Sequence, residues 1–293
     1  MPRVLILGSS GLLGSGISRI LNSSFDVVGT HFNNAGYSVK ESFRLDVSSP
    51  EIFESMVKEV SPDYVINCIG ATSVEECERL PEKAMLLNAV FPNRIAKASK
   101  LFGFRYIHVS TDHYGTLSHE IRNESMNPIL LNQYGYSKYI GERLVLNENP
   151  ESLILRTNFF GISASGNHSI LDFAIKSLTK SIPIFGYEDV WFTPLGVTQV
   201  GKFLATTLDR ELTGILNLSG NESITKLTFL REVTLGLGLD PNLVIAAKSS
   251  ELSSRVTRPS NLSLDNSRLR SLGIQLPGLK DMIQEELSDR VVA

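Results

Sequence analysis

Tyr134 and Lys138 stand four residues apart in Tyr134-Gly-Tyr-Ser-Lys138. On a helix that spacing puts both side chains on one face, so a phenol and an ammonium can share one site. A phenol with its ordinary pKa near 10 exchanges protons poorly at neutral pH unless its anion is stabilised, and a neighbouring ammonium does that. The spacing alone is weak. In a chain with 8 tyrosines it arises by chance about half a time at ordinary lysine frequency. Its position carries the argument. It follows the apolar run Arg105-Tyr-Ile-His-Val109, which leads into Ser110-Thr111-Asp112. A hydroxyl at that strand end can reach a substrate carbonyl and the phenol together. Thr111, Tyr134 and Lys138 therefore read as a proton-relay set for a carbonyl carbon, while Tyr136 points elsewhere on the helix.

A second constellation opens the chain. Gly8-Ser-Ser-Gly11-Leu-Leu-Gly14 follows the β-rich run at residues 3–7 and opens a helical pattern over 12–21, with Leu13, Ile17, Ile20 and Leu21 on one face. A helix N-terminus offers unpaired N–H groups and a positive dipole end, which suits a pyrophosphate. Glycines let the backbone turn tightly and approach the phosphates. Strand, loop and helix in that order point to a dinucleotide. A carboxylate at the end of the second strand would bind a ribose 2′-hydroxyl. That place holds Thr30-His31-Phe32-Asn33 instead. No acid there repels a 2′-phosphate, and Thr30, His31 and Asn33 can hydrogen-bond one. No arginine stands in the segment. A dinucleotide with a 2′-phosphate is expected ahead of one with a free 2′-hydroxyl.

These groups need a frame. Strand patterns fall at 3–7, 26–30, a short run ending at Leu45, 63–69, 105–110 and 153–156. Helical patterns alternate with them at 12–21, 50–60, 81–101 and 134–147, with a kink expected at Pro92. This alternation predicts an α/β fold, a Rossmann-type doubly wound parallel sheet. Runs such as Val4-Leu-Ile-Leu7 suit strands covered on both faces. Ligands of such sheets lie outside the carboxyl ends of the strands, where both constellations sit. Beyond residue 158, helical patterns near 168–181, 197–210 and 225–237 predict a smaller, mostly helical substrate lobe. The expected division is a dinucleotide-binding domain over 1–158 with 195–219 added, and an interleaved lobe over 159–293.

With 293 residues, 42% hydrophobic and 20% charged, the chain has the balance of a globular protein rather than a disordered one. A net charge of −3 gives no general drive toward nucleic acid or an anionic membrane. The first residues have too short an apolar core for a signal peptide. No apolar run reaches the roughly 20 residues of a membrane span. Two cysteines, Cys68 and Cys77, cannot build a disulfide framework, so a reducing, cytoplasmic setting is expected. They also lack the spacing of a zinc site, and Cys68 is expected in the core. No metal is expected. Glu285 and Glu286 read as solvated carboxylates of the tail.

Glycine at every third position of the first loop resembles the extended short-chain dehydrogenase/reductase family. Asn67-Cys-Ile-Gly-Ala-Thr72, Leu87-Asn88-Ala89, Val109-Ser-Thr-Asp112, Asn132 to Glu142, Leu155-Arg-Thr157 and Arg258-Pro-Ser-Asn-Leu-Ser-Leu-Asp265 resemble segments of its dTDP-4-dehydrorhamnose reductases. The likeness runs from residue 4 to about 265. It implies a nicotinamide dinucleotide against Gly8, Ser10, Gly11, Leu12, Leu13, Gly14, Thr30, His31, Asp46, Val47, Cys68, Ile69, Gly70, Ala71, Asn88, Val109, Tyr134 and Lys138. It places substrate near Thr72, Thr111, Asp112, His113, Asn158, Phe159, Trp191 and Arg258. Three segments depart from the reductase pattern: the stretch after Asp112, Asn158-Phe-Phe160 after the Arg-Thr pair, and Gly186 to Pro194. The implied reaction is NAD(P)H-dependent reduction of a 4-keto-6-deoxy sugar on a nucleoside diphosphate, in a chain that could form a homodimer. The altered substrate segments leave a sugar-nucleotide epimerase, or a non-catalytic NADP-binding regulatory subunit, as alternatives.

Overall fold

The alternating face of the first strand organises the whole molecule. A computed structural model describes residues 1–33, 39–115, 120–163, 169–251 and 256–288; position 168 of the expected helix lies outside them. Strands β1 (Arg3–Leu7), β2 (Asp26–His31), β3 (Glu41–Arg44), β4 (Tyr64–Asn67), β5 (Arg105–Val109), β6 (Leu153–Arg156) and β7 (Gly214–Asn217) form one sheet in the order β7-β6-β5-β4-β1-β2-β3. Every pairing is parallel. The chain order reverses between β1 and β4, the switch point at which such sheets bind ligands.

Val4 and Ile6 point to one side of the sheet and Leu5 and Leu7 to the other, and all four are fully buried. Each such side chain contributes about 1.5–3 kcal/mol by leaving water. On the second side they meet helices α2 (Pro50–Val60) and α3 (Phe91–Phe102) through Phe53, Met56, Phe91 and Ile95. On the first side lie α1 (Leu12–Leu21) and, from much later in the chain, α6 (Val197–Thr207). Gly16 and Gly201 allow these two helices to touch, since a Cβ on Gly16 would stand 2.0 Å from Val197 Cγ1. Between them in sequence run α4 (Gln133–Glu148) and α5 (Ile170–Leu178), and α7 (Lys226–Gly236) and α8 (Leu279–Ser288) follow. One apolar cluster runs unbroken from β1 through α1 and α6 into α5, α7 and α8. No helix among the described residues is long and apolar enough to cross a membrane.

The later part of the chain also holds three two-stranded ladders that periodicity did not reveal: Phe159–Phe160 with Leu195–Gly196, Trp191–Phe192 with Ile224–Thr225, and Ile184–Tyr187 with Val244–Ala247. Strands of two to four residues are too short to show a period. Pro92 does not interrupt a plain helix. It sits in the first turn of α3, and a wider π-turn over Leu86–Val90 precedes it. A proline supplies no N–H to the preceding turn, and the wider turn accommodates that loss. The same turn carries Asn88 into the interior.

Candidate active site

Asn132 starts α4. Its side-chain Oδ1 accepts from Gly135 N at 2.9 Å, a cap that fixes the first turn. Tyr134 and Lys138 then both face the end of β5. The Tyr134 hydroxyl donates to Thr111 Oγ1 at 3.0 Å, and Lys138 Nζ donates to the Val109 carbonyl at 2.7 Å. Thr111 is held in turn by the backbone N–H of His113 at 3.1 Å. The structure thus brings the three relay residues together and leaves Tyr136 exposed. Burial pushes the Tyr134 phenol above its ordinary value, against the pull of the Thr111 hydroxyl. Burial also lowers Lys138 to about 8, with Glu142 resisting. The expected depression of the phenol by Lys138 is not what sets it: desolvation dominates, and Tyr134 is a protonated group at neutral pH.

The relay opens into a cavity of about 210 Å³ at the carboxyl ends of β4, β5 and β6. Leu13, Cys68, Ile69, Gly70, Ala71 and Val109 line it, as do Thr72, Asp112, Asn158 and Phe159. Cys68 is thus a partly buried wall residue rather than a core one, and burial pushes its thiol up to about 12. Two further wall residues, Ser110 and Thr157, were not singled out. Thr157 Oγ1 is buried there with no hydrogen-bond partner among the described residues.

The glycine loop lies beside this cavity. Gly8 has a φ of 80°, which only glycine adopts freely, and a Cβ on Gly14 would stand 2.2 Å from the Gly8 carbonyl. Those two glycines serve the turn itself. Gly11 differs: it is exposed at the N-cap of α1, and a Cβ there would meet only the Gly8 oxygen, at an ordinary 3.4 Å. The fold tolerates a side chain at 11, and its absence leaves the helix N-terminus open to an anion. Ser10 and Leu12 flank Gly11. These residues fit a pyrophosphate.

The adenosine end needs correction. Thr30 is fully buried, and its hydroxyl accepts from Gly8 N at 2.9 Å. It holds the loop and has no face toward a 2′-phosphate. His31 is tied to Ser42 Oγ at 2.7 Å, and Asn33 is exposed. The residue missed is Arg44. Parallel pairing of β2 with β3 sets Arg44 opposite His31, and its guanidinium lies 5.9 Å from the Phe32 ring centre. An arginine is therefore present at the second-strand end after all. Asp46 accepts from Ser48 N and Oγ at 3.0 and 2.6 Å, which fix the turn that follows it and hold its carboxyl below the usual range. The Val47 carbonyl accepts from Arg94 at 3.3 Å. Asn88 is fully buried and bridges two elements. It takes a bond from Ala71 N at 2.9 Å and gives bonds to Ala71 O and Ser137 Oγ at 3.1 and 3.0 Å.

Not all expected substrate residues reach the cavity. Asp112 does: it is buried, accepts from Asn158 Nδ2 at 2.5 Å, and is raised by burial to about 6. His113 stands behind the wall, its ring centre 5.3 Å from that of Tyr134 in an edge-on packing, and burial lowers it to about 4. Trp191 is 44% exposed and does not line the cavity. Arg258 forms a surface ion pair with Glu75 at 2.5 Å and does not line it either. Lys226 was missed. Its ammonium sits 3.3 Å from the centre of the Phe192 ring; burial lowers it to about 8 while Asp112 pulls the other way. Arg122, also unforeseen, is fully buried and donates to the carbonyls of Asp112, at 3.1 Å, and of Tyr114. No local spacing marks either residue. Glu285 and Glu286 are not free tail carboxylates: Glu286 accepts from Thr198 N at 2.8 Å at the start of α6, and Glu285 pairs with Lys202.

The model of the RmlD substrate binding domain matches residues 2–291. The chain is 27% identical over 284 residues to a probable low-salt glycan biosynthesis reductase of Haloferax volcanii, covering 94% of each. It is 27% identical over 292 residues to the methionine adenosyltransferase 2 subunit beta of Xenopus tropicalis, covering 93% of this chain and 83% of that one. Among solved structures it resembles the dTDP-4-dehydrorhamnose reductase of Bacillus anthracis in complex with NADP. The TM-score is 0.87, with 23% identity over 99% of this chain and 100% of the other.

Proposed function

The chain belongs to the RmlD substrate binding domain family, and from that premise we propose that it is an NADPH-preferring oxidoreductase. Its substrate is a 4-keto-6-deoxy sugar carried on a nucleoside diphosphate, which it reduces to the alcohol in the making of deoxysugars or surface polysaccharide. The observation that carries this reading is the half-buried bond from Tyr134 to Thr111, with Lys138 on the same helix face, at the wall of a cavity beside an open glycine loop. The similarity to a glycan biosynthesis reductase supports it.

The residues divide the work. Gly11 and the start of α1, on the turn that Gly8 and Gly14 make, would hold the pyrophosphate, and the cavity residues Leu13, Ile69, Gly70 and Val109 would line the nicotinamide end. A nicotinamide bound there supplies a hydride to the keto carbon. Thr111 donates a hydrogen bond to the carbonyl oxygen, and Tyr134, protonated at neutral pH, delivers the proton to it. Lys138, held at the Val109 carbonyl, presents positive charge beside the phenolate that remains. Asp112 and Asn158 offer a fixed acceptor and donor to sugar hydroxyls.

Arg44 supports the preference for NADPH, since a guanidinium beside the second-strand end suits a 2′-phosphate. Arg44→Ala is expected to raise KM for NADPH about tenfold, in keeping with the loss of one charge-assisted bond, and to leave KM for NADH unchanged. Equal effects on both would remove Arg44 from the cofactor site.

Oxidation of NADPH followed at 340 nm against dTDP-, GDP- and UDP-linked 4-keto-6-deoxy sugars tests the reading. Turnover on one of them names the nucleotide. The similarity to a methionine adenosyltransferase subunit favours a second reading, a cofactor-binding subunit of a larger assembly. No turnover on any sugar, with a stoichiometric protein partner recovered alongside bound NADPH, would favour that one instead.

A further inference from the structure

Glu142 is a buried charge outside the relay as described. It lies one turn beyond Lys138 on α4, so Tyr134, Lys138 and Glu142 recur every four residues along one face. It has no accessible surface. Its Oε1 accepts from Ser110 Oγ at 2.6 Å, from Tyr114 Oη at 2.9 Å and from Arg156 Nε at 3.0 Å. Its Oε2 accepts from Arg156 Nη2 at 2.7 Å. Arg156, at the end of β6, is itself almost fully buried, and the Tyr114 ring lies 5.1 Å from its guanidinium. One carboxylate thus ties α4 to the ends of two adjacent strands.

The segment it grips is the one the relay uses. Ser110 stands between Val109, whose carbonyl holds the Lys138 ammonium, and Thr111, whose hydroxyl receives the Tyr134 proton bond. We propose that Glu142 is a positioning residue for the proton relay: it clamps Val109–Thr111 to α4 and supplies the negative charge that keeps Lys138 cationic. The proposal rests on the relay assigned above to Tyr134, Thr111 and Lys138.

The other groups around Lys138 do not supply that charge. Cys68 faces it from the end of β4 and Cys77 from the helix at Val74–Arg79, and burial pushes these thiols up to about 12 and about 11, so both are neutral at pH 7. His108 on β5 is fully buried and held well below its ordinary value, hence neutral. Tyr134 on the same helix is protonated. Burial works against the ammonium and brings it to about 8; among the described residues that act on it, Glu142 is the one held in an ion pair, with Arg156, and so the one that brings negative charge. Removing that charge lowers the Lys138 pKa further, so protonation is lost at lower pH.

The test is a pH titration of Lys138 in the full chain labelled with [ε-13C]lysine. Its resonance is assigned by its loss in Lys138→Met. Wild type is compared with Glu142→Gln and with Glu142→Gln/Arg156→Met, which leaves no buried guanidinium unbalanced and guards against a folding defect. Glu142→Gln is expected to move the Lys138 midpoint down by about one pH unit or more, and the double variant, which also removes the guanidinium paired with Glu142, moves it in the same direction by less. The alkaline limb of kcat/KM should fall in step. A merely structural role for Glu142 leaves the midpoint unchanged, and an unchanged midpoint in both variants overturns the proposal. A shifted midpoint in a protein that reduces no sugar nucleotide would overturn the reductase reading while upholding the action of Glu142 on Lys138.

Discussion

Tyr134→Phe is expected to lower kcat by on the order of 10²- to 10⁴-fold, the range spanned by one well-placed general acid. The substitution removes one oxygen and nothing else. Thr111 keeps its bond from His113 N, and the ring keeps its edge contact with His113. Stability should therefore change little, because the lost group is a partly buried hydroxyl with one protein partner at 3.0 Å. NADPH affinity, read from cofactor fluorescence, should also stay close to wild type. The combination to look for is intact binding with turnover nearly abolished, measured in a single-turnover reaction so that product release does not mask the chemical step. Unchanged turnover would show that the proton comes from elsewhere, and the relay assigned to Thr111, Tyr134 and Lys138 would have to be abandoned.

The second large effect is on stability. Arg156→Met leaves the Glu142 carboxyl group in the interior with, among the described residues, only the Ser110 and Tyr114 hydroxyls to answer it. Breaking a fully buried pair by removing one partner costs about 3–5 kcal/mol, mostly the penalty of the charge left behind. Replacing both members by uncharged residues of similar volume should cost far less, since it removes the desolvation penalty along with the attraction. Urea unfolding of Arg156→Met and of Glu142→Gln/Arg156→Met separates these cases. The single variant should unfold at much lower urea than the double one. If the two unfold together, the pair is not a closed unit and Arg156 acts through other contacts.

Much of the scaffold was written locally. The runs at 3–7 and 153–156 became β1 and β6 with the same limits, and the pattern at 12–21 became α1. Apolar periodicity and glycine spacing survive folding because they record only the geometry of one strand, one helix or one turn. The cluster of Tyr134, Lys138 and Thr111 was legible for the same reason: Tyr134 and Lys138 need only four residues of helix to meet, and Thr111 needs only a strand that ends beside them.

What crosses between elements was not legible. Thr30 was expected to face a phosphate, but the turn at Gly8 takes its hydroxyl. Arg44 was invisible as a neighbour of His31 because the register of β2 against β3 makes that pair, not any spacing along the chain. Arg258 finds Glu75 and Lys226 finds Phe192 only once the later part of the chain packs against the sheet. Glu142 sat in plain view in a recognisable motif, yet its partner lies at the end of a different strand. The sequence by itself determined the parallel sheet, the glycine turn after β1 and the meeting of Tyr134, Lys138 and Thr111, because each depends on short-range backbone geometry. The tertiary structure decided which charges are paired, which hydroxyls are already taken and which side chains reach the cavity, because burial and hydrogen-bond partners are set by how distant elements pack.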